Sequence, residues 1–287
     1  MYRRKLVFTG DVGREDSPIL RDPVPPREAD ILITESTYGN RLHDPEEDVK
    51  RRLAEVISAT HARGGKVLIP AFSVGRTQTL VYYLHQLAGE RKTPALPIFV
   101  DSPLSTNVTN VFRAHPECYD PEALEFLARQ QDPFGFDRLT YVRDLDASKA
   151  LNDVTTPCVI ISASGMMESG RILHHLKRIG PDRKSTILIV GFMAENTLGR
   201  RIEEKVEFIK VFGEEFPLRA EVATISGLSG HADRNELSRF LGGFARPPAR
   251  TFVVHGEENQ ALGFAEHLRA QGFPSVDVPA PGEKFEV

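Results

Sequence analysis

Short, continuously apolar segments rich in β-branched residues recur along the whole chain of 287 residues, and amphipathic segments separate them. Apolar runs without polar alternation are typical of strands that helices cover on both faces of a sheet. Strands that alternate with helices over the full length predict an α/β fold. We therefore expect strands at 5–9, 30–34, 66–70, 97–100, 139–142, 158–162, 185–190, 221–225, 250–254 and 276–279.

Helix signals fall between these strands. Asp44, Pro45 and the two glutamates that follow form a start signal, because proline suits the first helical position and acids favour the positive end of the helix dipole. The pair Gly64 and Gly65 ends that segment. Further helices are expected at 76–88, 168–178, 233–244 and 258–271.

Composition excludes several classes of protein. With 40% hydrophobic and 26% charged residues, the chain can bury a core, unlike a disordered chain. Its two cysteines form no Cys-x-x-Cys pair, and no apolar run approaches the roughly 20 residues that span a bilayer. The N-terminus lacks the apolar region of a signal peptide. We therefore expect a cytoplasmic protein with no membrane partner.

Charge and motif content narrow the function further. The net charge of −4 argues against a uniformly basic nucleic-acid binder but allows a local basic groove. The chain has no Gly-x-Gly-x-x-Gly after a strand, no Walker-type phosphate loop, no His-Glu-x-x-His and no Gly-x-Ser-x-Gly. A dehydrogenase, a P-loop NTPase and a zincin are therefore disfavoured.

Acidic and imidazole side chains follow several of the expected strands. Asp11 and Glu35 come directly after apolar runs, His255 ends the run Arg-Thr-Phe-Val-Val, and His231 lies just before an expected helix. Ligand crevices form at the carboxyl ends of strands in α/β sheets, and these donors suit zinc or manganese. A hydrolytic metal site is one interpretation. The other is that the acids cap turns and the histidines bond backbone.

A second candidate is the turn at 162–170, Ser-Ala-Ser-Gly-Met-Met-Glu-Ser-Gly, which Arg171 follows. Its small residues let backbone N–H groups approach a ligand, and a strand-to-helix turn of this kind is suited to an anion. The alternative is an ordinary tight turn between a strand and a helix.

Taken in order, these segments resemble a known family. Phe-Thr-Gly-Asp11, Glu35-Ser-Thr-Tyr-Gly, Ser-Gly-His231-Ala-Asp and Val-His255-Gly-Glu resemble motifs of the metallo-β-lactamase-fold nucleases that carry a β-CASP domain. Pro-Ala-Phe-Ser-Val-Gly at 70–75 and Ser-Gly-Met-Met-Glu-Ser-Gly at 164–170 resemble the pattern of the inserted domain. This group includes the pre-mRNA 3′-end cleavage endonuclease and ribonuclease J, and the likeness is closest to stand-alone prokaryotic members.

The resemblance implies a fold and a division of the chain. Residues 1–43 and 216–287 would form part of a metallo-β-lactamase αββα lobe. Residues 44–215 would form an inserted β-CASP α/β lobe with a parallel sheet. RNA is the implied partner, because a histidine at the position of His255 is the form associated with RNA-directed members. Whether the chain forms a homodimer stays open.

The resemblance also implies roles for individual residues. Asp11 matches the aspartate that bridges two zinc ions, and His255 matches a ligand of the second zinc. Glu35 and His231 match a hydrogen-bonded catalytic pair near the scissile phosphate, in which a carboxylate raises the pKa of the imidazole. The turn that carries Ser162, Ser164, Gly165 and Arg171 resembles a loop that contacts a substrate phosphate.

One departure from the family pattern is large. No histidine precedes His43 and no His-x-His occurs anywhere, so the main zinc-binding segment His-x-His-x-Asp-His is missing. The chain is therefore expected to correspond to the C-terminal portion of such an enzyme. Two zinc ligands are fewer than the three that a catalytic zinc usually takes from protein. A zinc-dependent ribonuclease that is weakly active or inactive in this form is the first hypothesis.

Two alternatives remain. A non-catalytic RNA-binding scaffold of the same family explains the missing ligands but not the retention of Asp11, Glu35, His231 and His255 together. A metal-dependent hydrolase of small phosphodiesters or thioesters is weaker, because the middle of the chain resembles a β-CASP domain.

Overall fold

The computed structural model describes residues 3–129 and 132–286 of the chain. It consists of two compact units. The flanking unit comprises Met1–His43 and Gly230–Val287, and the middle unit comprises Asp44–Ser229. Helices and strands follow one another in the order β1 (Leu6–Phe8), β2 (Ile31–Thr34), α1 (Glu46–Ala62), β3 (Val67–Pro70), α2 (Arg76–Gly89), β4 (Ile98–Asp101), α3 (Pro103–Ala114), α4 (Pro121–Ala128), β5 (Leu139–Tyr141), α5 (Leu145–Leu151), β6 (Val159–Ser162), α6 (Ile172–Ile179), β7 (Thr186–Ile189), α7 (Leu198–Glu203), β8 (Phe208–Val211), β9 (Glu214–Pro217), β10 (Glu221–Thr224), α8 (Arg234–Leu241), β11 (Arg250–Val253), α9 (Glu258–Ala270) and β12 (Val276–Asp277).

The flanking unit is built on a parallel sheet with the strand order β1-β2-β11-β12. Helices α8 and α9 pack on it through a core that includes Leu32, Leu237, Val253, Phe264 and Leu268, all fully buried. Because the strands are parallel, β1, β2 and β11 end at the same edge of the sheet. This edge is where ligand sites form in α/β proteins.

The middle unit contains a six-stranded parallel sheet in the order β10-β7-β3-β6-β4-β5. Strands β3, β6 and β7 are buried at every position, as their continuous apolar sequences predict. An antiparallel hairpin, β8–β9, stands beside this sheet as a separate two-stranded unit. The α/β fold class is confirmed, and each strand expected from the sequence is present.

The second boundary between the units differs from the expectation. The sequence places it at 215/216, whereas the compact units meet at 229/230. Strand β10 pairs in parallel with β7 from Glu221 to Thr224, so residues 216–229 belong to the middle unit. The glycine-containing stretch after residue 212 is the turn of the β8–β9 hairpin, where Gly213 adopts a φ of 82°. Glycine suits this left-handed conformation, because it has no Cβ to clash.

Helix α3 was not expected from the sequence, because its apolar pattern is reversed. Ser105, Thr106 and Thr109 are its buried residues, while Leu104 and Val111 are exposed. The buried hydroxyls are satisfied by hydrogen bonds, and Gln78 of α2 donates to Thr109 Oγ1 at 2.9 Å.

Among the residues that the structure describes, no helix has both the length and the apolar character that crossing a membrane requires.

The four helices that the sequence analysis missed nevertheless carried start signals. The N-cap residue of each accepts a hydrogen bond from a backbone N–H of the first turn, which is the usual role of such side chains. These caps are Ser102 for α3, Asp120 for α4, Asp144 for α5 and Thr197 for α7.

Candidate functional site

Three of the predicted site residues lie together in the flanking unit. The ligand atoms of Asp11, His231 and His255 are all within 4.8 Å of one another. Asp11 follows β1 and His255 follows β11, so sheet order brings them to one edge. His231 joins them because the N–H of Ala232 donates to Val12 O at 2.8 Å, which ties the segment before α8 to the segment after β1.

Asp11 and His255 form the open side of this cluster. Asp11 Oδ1 lies 3.2 Å from His255 Nδ1, and their side chains are 65% and 58% exposed. His255 adopts a φ of 53°, and its carbonyl accepts hydrogen bonds from Ser36 N–H and the Thr37 hydroxyl. A Cβ at Gly256 would lie 2.5 Å from Ser36 Oγ. The close approach of the two strand ends therefore requires glycine after His255.

Glu35 forms the buried side. Its side chain is 1% exposed, and His231 Nδ1–H donates to Oε2 at 3.0 Å and to Oε1 at 3.2 Å. The N–H of Val12 donates to Oε1 at 2.6 Å, and the N–H of Thr37 donates to Oε2 at 3.4 Å. Burial opposes ionisation, but these hydrogen bonds and the His231 charge together hold the pKa of Glu35 below its usual value. An ionised Glu35 fixes the orientation of the His231 ring.

Two residues that the sequence analysis did not single out hold His231 in place. His43 Nε2–H donates to the carbonyl of His231 at 2.9 Å, and His43 N–H donates to Asp233 Oδ2 at 3.0 Å. Asp233 caps α8 in a reciprocal pair with Glu236. The spacing Asp-x-x-Glu at the start of an amphipathic helix is a sequence signal for this cap. His43 had no comparable signal, because its partner is far away in the chain.

The donor set fits a metal ion. One carboxylate and two imidazoles are ligands that zinc and manganese accept, and a catalytic zinc usually takes three ligands from protein. Glu35 bonds His231 from the buried side, an arrangement that suits two roles for His231: third ligand of such an ion, or proton donor beside an ion held by Asp11 and His255. Among the residues that the structure describes, Asp11, His231 and His255 are the one group of three such donors close enough to share an ion.

The predicted phosphate-binding residues lie in the middle unit, at the turn between β6 and α6. Ser162 is buried and donates from Oγ to the carbonyl of Asp101 at 3.0 Å, and Arg171 donates from Nη1 to Asp101 Oδ1 at 2.7 Å. Ser164 Oγ accepts the N–H groups of the two residues at 168 and 169. Gly165 is buried, and a Cβ there would lie 2.9 Å from the ring of Phe72.

Asp101 is the residue in this region that the sequence analysis missed. It ends the apolar strand β4, so it carries the same signal as Glu35 after β2. Its Oδ2 accepts hydrogen bonds from His175 Nε2–H at 2.7 Å and from the Ser148 hydroxyl at 2.6 Å. His175 is itself buried, so its hydrogen bond to Asp101 lies inside the fold.

Two models of known protein domains match the chain. The Beta-Casp domain model matches residues 77–202, and the model of the Zn-dependent metallo-hydrolase RNA specificity domain matches residues 215–280. The second description implies a metal cofactor. The chain is 37% identical to Ribonuclease TTHA0252 of Thermus thermophilus over 269 aligned residues, and this alignment covers 94% of the chain.

Two relatives from Methanocaldococcus jannaschii have similar identity. Transcription termination factor FttA is 35% identical and the RNase J-like protein is 34% identical, over 92% and 91% of the chain. The chain spans 61% of the Thermus protein, 43% of FttA and 60% of the RNase J-like protein. The two domain matches, the order of the motifs and these relatives agree: the chain belongs to the β-CASP family of metallo-β-lactamase-fold proteins.

Proposed function

We propose that the protein is a metal-dependent ribonuclease that hydrolyses RNA phosphodiester bonds. The observation that carries the proposal is the cluster of Asp11, His231 and His255 with Glu35 buried behind it. The names of the relatives support the substrate class, since they are a ribonuclease, an RNase J-like protein and a transcription termination factor. The cytoplasm is the proposed setting, because both cysteines are free thiols.

Asp11 and His255 would hold the metal, which we propose to be zinc. A metal ion at such a site supplies Lewis-acid chemistry and a more acidic bound water. Glu35 accepts the Nδ1–H of His231 and so fixes the ring, which lies beside Asp11 and His255. At that position His231 would neutralise phosphate charge or protonate the leaving oxygen. We propose two zinc ions for the complete family site, with the further ligands supplied from outside these 287 residues.

The turn at 162–171 would contact an RNA phosphate. We propose this role for the backbone of the turn that carries Ser162, Ser164, Gly165 and Arg171, because its small residues let backbone N–H groups approach a phosphate oxygen. Contacts of this kind to the phosphate backbone would bind single-stranded RNA without reading its base sequence.

A second function is favoured by the ligand count. Three donors fit one ion, whereas two-metal phosphodiesterases use more ligands. A chain that binds RNA but does not cut it would then act as a scaffold.

A homodimer remains a prediction, and light scattering of the purified chain measures it directly.

Zinc content and cleavage of a labelled RNA, measured on one purified sample, test the proposal. Stoichiometric zinc and chelator-sensitive cleavage are expected for a ribonuclease, and both should fall in His255→Ala. The matched control is His61→Ala, since His61 is an exposed helical histidine remote from these motifs in the sequence. RNA binding with neither zinc nor cleavage would favour the scaffold. A sample that neither binds nor cuts RNA would contradict both functions.

A further inference from the structure

We propose that Asp101 is a positioning residue for the 162–171 loop, and that Ser162 and Arg171 are anchors of that loop rather than groups that touch RNA. This inference rests on the proposed function, because it concerns the loop assigned to an RNA phosphate. Both ends of the loop bind the same residue: Ser162 donates to the carbonyl of Asp101, and Arg171 donates to its carboxylate.

Asp101 is saturated by internal donors. Its side chain is fully buried, and its carboxylate accepts hydrogen bonds from Arg171, from Ser148 of α5 and from His175 of α6. The other ring nitrogen of His175 lies 3.1 Å from Asn152 Oδ1. Asp101 therefore holds the end of β6 through its backbone carbonyl, and it holds the first turns of α6 and the helix α5 through its carboxylate.

Arg171 uses its guanidinium inside the fold. Besides Asp101, Nη1 donates to the carbonyl of Val142 at 3.2 Å and Nη2 donates to the carbonyl of Arg143 at 2.8 Å. Its side chain is only 17% exposed. An arginine that points at a phosphate keeps its planar fork toward the ligand. The fork of Arg171 is instead directed at protein acceptors.

The middle of the loop is closed by its own hydrogen bonds. Ser164 Oγ accepts the N–H groups of Glu168 and Ser169, and Ser164 N–H donates to the carbonyl of Ser169. At its far side, Glu168 accepts the N–H of Leu198 at 2.5 Å. Since this segment is a preformed unit, its orientation depends on its two anchored ends, and thus on Asp101.

The test is RNA affinity of the full chain in chelator, measured by fluorescence anisotropy over a salt series. Chelation removes cleavage from the measurement. The variants are Asp101→Asn, which keeps size and one acceptor, Arg171→Gln, and the two combined. Arg178→Ala is the control, because Arg178 is an exposed arginine on the same helix, α6.

If Asp101 positions the loop, each single variant should weaken RNA binding by about ten-fold. The double variant should weaken it no further, because both substitutions break the same contact between Asp101 and Arg171. The salt slope should stay unchanged. If Arg171 instead contacts a phosphate, Arg171→Gln should lower the slope by about 0.7. Such a drop, or unaltered binding in Asp101→Asn, would overturn the inference while leaving the proposed function intact.

Hydrogen exchange of the loop amides provides a second readout. Faster exchange confined to residues 163–170 in Asp101→Asn is expected, with the flanking unit unchanged. Unchanged loop exchange would overturn the inference. Should Asp101→Asn fail to fold, Ser148→Ala removes one donor from the same carboxylate and is measured in its place. A wild-type chain that binds no RNA would overturn the proposed function, and the inference with it.

Discussion

Two buried carboxylates, one in each unit, lie at the ends of parallel strands and accept a hydrogen bond from an imidazole. Glu35 follows β2 and pairs with His231, and Asp101 ends β4 and pairs with His175. Burial opposes ionisation of both, yet hydrogen bonds from the imidazole and its neighbours hold the pKa of each carboxyl below its usual value. The two pairs therefore share an electrostatic design.

They differ in what surrounds the imidazole. His175 is 1% exposed and both ring nitrogens face oxygen atoms of the protein. The side chain of His231 is 24% exposed and lies beside Asp11 and His255, which are more exposed still. An imidazole bonded on both sides stabilises the fold, whereas one that reaches a solvent-accessible donor cluster can meet a ligand. The burial of the histidine, more than the presence of a carboxylate–imidazole pair, separates the two roles.

The comparison predicts that Asp101→Ala has the largest effect on stability. Removal of this buried carboxylate leaves the largely enclosed Arg171 charge without its carboxylate partner, so the free energy of unfolding should fall by about 3–5 kcal/mol. Urea unfolding followed by circular dichroism measures it. The control is Asp146→Ala, whose carboxylate is 88% exposed and should change stability by no more than about 0.5 kcal/mol. Equal effects of the two substitutions would mean that Asp101 is not a buried anchor.

Glu35→Ala should destabilise the flanking unit by less, about 1–3 kcal/mol. It leaves backbone N–H groups without their acceptor, but it removes no ion pair with an arginine. The same urea experiment measures the change, with exposed Glu266→Ala as the control. RNA cleavage should be lost in Glu35→Ala well beyond what the loss of folded protein explains. Retained cleavage would break the assignment of the Glu35–His231 pair to the reaction.

The lowered pKa of Asp101 predicts a smaller, pH-dependent effect. Its folded-state pKa lies below the ordinary value of 3.8, so its stabilisation is present above that value and is lost as pH falls through the folded-state pKa. The unfolding midpoint of the wild type should therefore approach that of Asp101→Asn as pH falls from 6 toward 3. Parallel midpoints over this range would show that the charge of Asp101 contributes nothing.

His255→Ala should have the smallest effect on stability, about 0–1 kcal/mol, because the Asp11–His255 pair is exposed to solvent. Thermal unfolding of the wild type and of His255→Ala in chelator measures this difference in stability without a contribution from bound metal. Zinc should raise the unfolding midpoint of the wild type, since a ligand that binds the folded state stabilises it, and should leave His255→Ala unchanged. An equal zinc shift in both proteins would place the metal elsewhere.

The sequence determined most of the sheet framework. Buried parallel strands such as β3, β6 and β7 have continuous apolar sequences, so their positions could be read directly. Helix α3 could not, because its buried face is hydroxyl-rich and its apolar residues face solvent. The β8–β9 hairpin was also missed, since its turn, with Gly213, looked like a seam between domains.

The sequence also identified Asp11, Glu35, His231 and His255 as strand-end candidates, and their motifs carried the family resemblance. It gave Asp101 the same signal without distinguishing it from Glu35, and it left His43 unnoticed. Only the tertiary structure decided which carboxylate is enclosed and which lies behind an accessible cluster. The physical reason is that strand position follows from local burial patterns, whereas the environment of a side chain depends on strand order and on partners distant in the chain.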